Sequence, residues 1–102
     1  MNKLIRDNKV AVLYSPGYGA GWYTWNREHE DMVFDPVLAT LIDEGKTAEA
    51  ETYVTMRWPD VYVGGLEDLT VAWVPVGTAF TIDEYDGNES IQLKEKVDWL
   101  IA

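Results

Sequence analysis

The rhythm of apolar and polar positions changes along this chain, and each change marks an element. Lys9-Val10-Ala11-Val12-Leu13-Tyr14 is a short, nearly continuous apolar run closed by Ser15-Pro16-Gly17, the pattern of a strand that ends in a turn. Trp22-Tyr23-Thr24-Trp25-Asn26 reads as a second strand, with Tyr23 and Trp25 on one face and Trp22 and Thr24 on the other. The period then lengthens. Val37, Leu38, Leu41 and Ile42 form a stripe at helical spacing. Asp35 before Pro36 supplies an N-cap and a first-turn proline, and Gly45 fits the position past the C-terminus. Thr47 is placed to cap a second helix with Glu49 in its first turn, and Ala50, Tyr53 and Val54 line one face. Pro59 ends that helix and pushes Trp58 out of helical geometry. The pattern thus predicts a hairpin of helices over 35–44 and 47–57.

After Gly64-Gly65 the period returns to two. Leu69, Val71 and Trp73 alternate with Thr70, Ala72 and Val74, and Phe80 and Ile82 alternate with Thr81 and Asp83. Pro75-Val76-Gly77-Thr78 separates these runs as a turn, so Leu69–Val74 and Phe80–Tyr85 are expected to pair as antiparallel neighbours. Asp86-Gly87-Asn88 is a hairpin signal leading to Ile91 and Leu93. Val97, Trp99 and Ile101 continue the alternation or form a short helix. Val12, Leu38, Leu41, Val71, Trp73 and Ile82 are the expected core. Strand, helical hairpin and then strands make an α+β fold, in which residues 1–102 form a single compact domain with the helical hairpin packed on a mainly antiparallel sheet.

Composition agrees with a folded domain: 47% of the 102 residues are hydrophobic and five are tryptophan. No cysteine is present, which removes disulfides and thiolate chemistry and suits a reducing compartment. The first seven residues lack the apolar stretch of a signal peptide, and no run reaches membrane-spanning length. A soluble cytosolic protein is therefore expected. The net charge of −10 is unevenly laid out. Lys3, Arg6 and Lys9 open the chain, whereas Trp58 to Leu93 holds no Lys or Arg but carries Asp60, Glu67, Asp68, Asp83, Glu84, Asp86 and Glu89. Such a field repels nucleic acid and anionic membranes, so neither is an expected partner. It serves either as a solubilising surface or as a face that engages a basic or nucleic-acid-binding surface of a partner protein, in the latter case by imitating a nucleic-acid backbone.

The candidate binding region is Ser15-Pro16-Gly17-Tyr18-Gly19-Ala20-Gly21-Trp22, with Tyr23, Trp25 and Asn26 following. Alternating glycines imply positive φ angles or a close approach to the backbone. The adjoining rings offer flat apolar surfaces with polar tips. Two readings stand: a recognition loop, or a corner that plugs the core. On the first, Tyr18, Gly19, Gly21, Trp22 and Trp25 form the site, joined by the carboxylates Asp83, Glu84 and Asp86, and at least one ring among Tyr18, Trp22 and Trp25 stays exposed in a concave site.

Catalytic and cofactor motifs are missing from the sequence. The single histidine, His29, sits in Glu28-His29-Glu30-Asp31, where consecutive residues share no face for a metal; an exposed polar turn or helix start suits it better. No G-x-S-x-G elbow accompanies Ser15 or Ser90. The glycines match neither the dinucleotide-binding nor the P-loop spacing. Arg6, Arg27 and Arg57 are the residues able to meet a phosphate, and a surface role suits each. The acid pairs Glu67-Asp68 and Asp83-Glu84 are a weak signal in so acidic a chain. Glu49 and Glu51 stand where a DNA-reading helix carries Arg or Lys. The expectation is a non-enzyme with no cofactor and no metal.

The SPGYGAGW run at 15–22 and Thr24-Trp25-Asn26, then Gly64-Gly65-Leu66, Leu69, Trp73-Val74-Pro75, Gly77-Thr78-Ala79-Phe80 and Glu84-Tyr85-Asp86-Gly87, resemble a group of small uncharacterised proteins encoded by tailed bacteriophages. The resemblance spans nearly the whole chain and brings no functional residue with it. It implies the host-cell cytoplasm and an accessory protein that binds a host component; with the acidic surface and the missing catalytic motifs, the expectation is an inhibitor of a host defence system. The alternative is a protein that binds or sequesters a small ligand, a nucleotide or sugar, at loop 15–26.

Overall fold

A computed structural model describes residues 2–93, and the expected alternation at Val97, Trp99 and Ile101 lies outside them. The elements are strands β1 (Ile5–Arg6) and β2 (Lys9–Tyr14), helices α1 (Asp31–Phe34), α2 (Pro36–Asp43) and α3 (Thr47–Arg57), a 3-10 turn at Leu66–Asp68, and strands β3 (Thr70–Pro75), β4 (Phe80–Tyr85) and β5 (Asn88–Leu93). The fold is α+β, with the helical hairpin against antiparallel strands.

Strand β2 is the centre of the molecule. It pairs antiparallel with β1 on one edge and β3 on the other. Its unbroken apolar run follows from burial on both faces. Ala11 and Leu13 join Trp22, Met32, Leu38, Ala50, Val54 and Trp58 in the core under the helices. Val12, facing the opposite way, packs with Val33, Phe34, Val74 and Ile82 beneath the β4–β5 hairpin.

The strands pair differently from the sequence expectation. β3 and β4 are not neighbours: β3 runs along β2 from Thr70↔Tyr14 to Pro75↔Lys9, while β4 pairs only with β5 in a separate two-stranded sheet. At the connecting turn Thr78 N–H donates to Pro75 C=O and Val76 N–H to Asn8 C=O. The chain is thereby held to the β1–β2 turn and directed away from β3. Asp86 and Gly87, both at positive φ, close β4 onto β5 instead, the geometry of a two-residue hairpin turn.

The helices follow their sequence signals. Asp35 Oδ1 accepts from Leu38 N–H at 2.9 Å, Pro36 opens α2, and Gly45 sits past its end at φ 73°. At α3 the cap position falls on Lys46 rather than Thr47, which is the first helical residue and makes no cap bond. Val37, expected in the apolar stripe of α2, is exposed, and Leu41, Val71 and Trp73, expected in the core, are half-buried at its margin. Val12, Leu38 and Ile82 are buried as expected. Arg57 ties α3 to α1 through Asp31 Oδ2 at 2.7 Å, and Tyr53 Oη donates to Asp35 Oδ2 at 2.7 Å. Burial, then the Asp35 hydrogen bond and charge, push the Tyr53 hydroxyl up to about 12 against the opposing pull of Arg57. No helix among the described residues is long and apolar enough to cross a membrane.

Candidate functional site

The glycine-rich segment is a packed corner with one outward face. Its second-strand expectation fails because a side chain takes the backbone donors that a sheet would use. Glu89, on β5 and 1% exposed, reaches into the loop. Its Oε1 accepts from Ser15 N–H at 2.9 Å, and its Oε2 accepts from Trp22 N–H at 3.0 Å, Thr24 N–H at 2.8 Å and the Thr24 hydroxyl at 2.6 Å. Glu89 N–H completes the joint by donating to Ser15 C=O at 2.7 Å. Among the described residues no cation pairs with this carboxylate. Oriented N–H and O–H dipoles take the place of solvent around it.

Loop 15–26 therefore wraps the tip of the β4–β5 hairpin. Gly19 N–H donates to Asp86 C=O at 3.0 Å. A Cβ on Gly87, at φ 81°, would run into Gly19 O, so both the conformation and the approach demand glycine. On its other flank the loop meets the 64–68 turn: a Cβ on Gly65, at φ 76°, would crowd Ser15 Oγ at 2.5 Å and Ala20 O at 2.8 Å. Gly19 itself has φ 117° and open space, and Gly21 is buried against Thr24 and Trp25.

The predicted aromatic site divides. Trp22 is a correction: it is fully buried, donates Nε1–H to Met32 C=O at 2.7 Å, and meets Trp58 edge-on with centroids 5.7 Å apart. It is a core ring and has no face for a ligand. Tyr18 and Trp25 turn outward, 69% and 47% exposed. Trp25 stacks on Tyr62, itself 65% exposed, with centroids 5.9 Å apart and planes 20° from parallel. Asn26 supports this arrangement from behind, donating from Nδ2 to Trp22 C=O at 3.0 Å and Tyr62 C=O at 2.7 Å.

Tyr18 and Tyr62 line a cleft of about 430 Å³ whose other walls include Glu51, Glu67 and Asp68. Within the described residues none of these three carboxylates has an ion-pair partner. Exposed ring faces beside carboxylates are the complement of a cationic side chain, since ring quadrupoles and carboxylates attract the same charge.

The three predicted hairpin acids stand apart from this cleft. Asp83, Glu84 and Asp86 are exposed. Glu84 is in register with Glu89 and turns its Oε1 to accept from Gly87 N–H at 2.9 Å, so it holds the turn. Asp86 touches the loop through its backbone. Sequence reading passed over Tyr62 and the inward role of Glu89. For Glu89 a signal existed: it shares a strand face with Ile91, which pairs with the buried Ile82. Tyr62 carried none, because its partner Trp25 is distant in sequence.

His29 lies near Glu28, with Nε2 to Oε1 at 3.7 Å, in the turn before α1. No group of three potential metal ligands gathers among the described residues. Comparison of the chain with protein families, curated proteins and solved structures finds no match.

Proposed function

We propose that the protein is a non-enzymatic binding protein whose acidic, aromatic cleft engages a basic surface of a partner protein. The observation that carries this reading is the stacked, exposed Trp25–Tyr62 pair and Tyr18 beside the unpaired Glu51, Glu67 and Asp68. The glycine-rich loop supports it by fixing Tyr18 and Trp25 on a rigid base: the Glu89 carboxylate and the Gly19–Asp86 bond anchor the segment between them. Rings held in place lose little entropy on binding, which favours recognition. The acidic face of the hairpin, Asp83 and Asp86, adds long-range attraction for the same partner. Together with the resemblance to small tailed-phage proteins, this points to an accessory protein acting in the host cytoplasm as an antagonist of a host defence protein.

A nucleotide or sugar held against Trp22 or Trp25 and the glycine backbone is the weaker reading. Trp22 is buried, Trp25 already stacks on Tyr62, the backbone around Gly19 and Ala20 meets Gly87, Gly64 and Gly65 of its own chain, and the nearby carboxylates oppose phosphate.

Capture from bacterial lysate with identification by mass spectrometry tests the proposal when the native protein is compared with a Glu51→Gln, Glu67→Gln, Asp68→Asn variant. A basic protein retained by the first and lost with the second is the expected result. Equal capture by both, or a heat-stable small molecule released from the native protein alone, would refute it.

A further inference from the structure

A different part of the molecule carries a second site. The chain has three arginines. Arg6 is held by Asp43 at 2.9 Å and Arg57 by Asp31 at 2.7 Å. Arg27, in a chain with 18 acidic residues, has no carboxylate within ion-pair distance among the described residues. Its guanidinium lies 5.7 Å from the Tyr23 ring centroid, and Nη2 donates one long bond, 3.4 Å, to Ile82 C=O on the unpaired edge of β4. Of the five donors on a guanidinium, most thus remain unused by protein acceptors.

Arg27 lines a cavity of about 410 Å³ between the α1 segment and β4. The walls are largely apolar, with Val33, Phe34, Phe80 and Ile82, and include Thr78 and Thr81 as well. Phe34 and Phe80 meet edge-on with centroids 6.0 Å apart, forming an aromatic corner, and Lys3 Nζ lies 4.3 Å from the Phe34 centroid. One acidic residue, Glu30, lines the same cavity, and it is not paired with Arg27. An apolar cavity of this volume is within the range of small-ligand sites. An unpaired cation and an unpaired anion on its wall, separated from each other, are the complement of a zwitterion with an apolar body.

We infer that this cavity binds a free apolar amino acid, its carboxylate on Arg27, its ammonium on Glu30 and its side chain against Phe34 and Phe80. A forked guanidinium suits a carboxylate because both oxygens find donors at once. The aromatic corner takes a leucine- or phenylalanine-sized group by burial and edge contacts. The site is separate from the Tyr18–Tyr62 cleft and does not depend on the function proposed there.

Titration of the full chain with L-phenylalanine and L-leucine, followed by backbone amide shifts, provides the test. The expected result is saturable binding that moves the amides of Phe34, Ala79, Phe80 and Ile82, with glycine at least about tenfold weaker for want of an apolar side chain. Arg27→Gln and Glu30→Gln alter exposed side chains, so both variants are expected to keep the native spectrum; each should weaken phenylalanine by about tenfold or more. Two analogues divide the charges. 3-Phenylpropanoate, without the ammonium, should bind more weakly than phenylalanine to the native chain and should not be weakened by Glu30→Gln, which removes a like charge. Phenethylamine, without the carboxylate, should not be weakened by Arg27→Gln, which for this ligand also removes a like charge. Absence of saturable binding by either amino acid overturns the inference, as does binding that survives both variants or 3-phenylpropanoate binding as tightly as phenylalanine.

Discussion

Glu89 and Trp22 show how much of this fold hangs on single side chains. Glu89 satisfies three backbone N–H groups and a hydroxyl from a segment more than sixty residues away. Removing the carboxylate leaves those donors buried without acceptors, each an unfavourable desolvation. Glu89→Ala is expected to cost about 3–5 kcal/mol, the scale for breaking a buried charged network, read by urea unfolding. Glu89→Gln should be only partly milder, because its amide N–H₂ faces donors. Trp22→Ala should cost about 3–5 kcal/mol as a core truncation. Trp25→Ala, losing a half-exposed ring, should change stability far less. Tyr53 makes a pH-dependent contribution. Its hydroxyl, raised from 10.0 to about 12 in the folded chain, stays protonated where the unfolded chain ionises. The stabilisation is full below about pH 10 and is lost as pH rises through about 12. Unfolding measured across that window should show a falling stability whose slope is reduced in Tyr53→Phe; an unchanged slope would place the alkaline sensitivity elsewhere.

At the scale of elements, local signals were legible and pairing partners were not. Asp35-Pro36, Gly45, Pro59 and Asp86-Gly87 act within a turn or two of themselves, and α2, α3 and the β4–β5 hairpin lie close to where those residues put them. The pairing of β2 with β3 joins strands on opposite sides of the helical hairpin, and nothing local specifies it. The apparent strand at 22–26 had the right alternation for a sheet, yet its donors were taken by a glutamate from another element. The two readings of the glycine loop, recognition and plug, are divided within the segment: Trp22 plugs, while Tyr18 and Trp25 point outward. Gly87→Ala tests the joint between loop and hairpin. A Cβ there meets Gly19 O and is strained at φ 81°, so the change should destabilise by more than 1 kcal/mol, the usual penalty for a Gly-to-Ala exchange at positive φ. Circular dichroism and urea unfolding would record it.

For the molecule as a whole, charge is the dominant long-range property. With a net charge of −10, encounter with a basic partner should be steered by a field that salt screens beyond about 8 Å at physiological ionic strength. Replacing the hairpin acids Asp83, Glu84 and Asp86 by Asn or Gln should therefore lower the association rate and flatten its salt dependence while leaving dissociation nearly unchanged. The cleft acids and rings act at contact, so their loss should appear in the dissociation rate. The measurement that bears most directly on the proposed function is titration of the native protein, Trp25→Ala and Tyr62→Ala with an arginine-rich peptide, each variant's stability being measured alongside. The expected result is salt-sensitive binding by the native protein, weakened by about 0.5–2 kcal/mol in each variant, as for a lost cation–aromatic contact, with near-native stability. Binding unchanged by either substitution, or no preference for the arginine-rich peptide over a glutamate-rich one, would contradict recognition at this cleft.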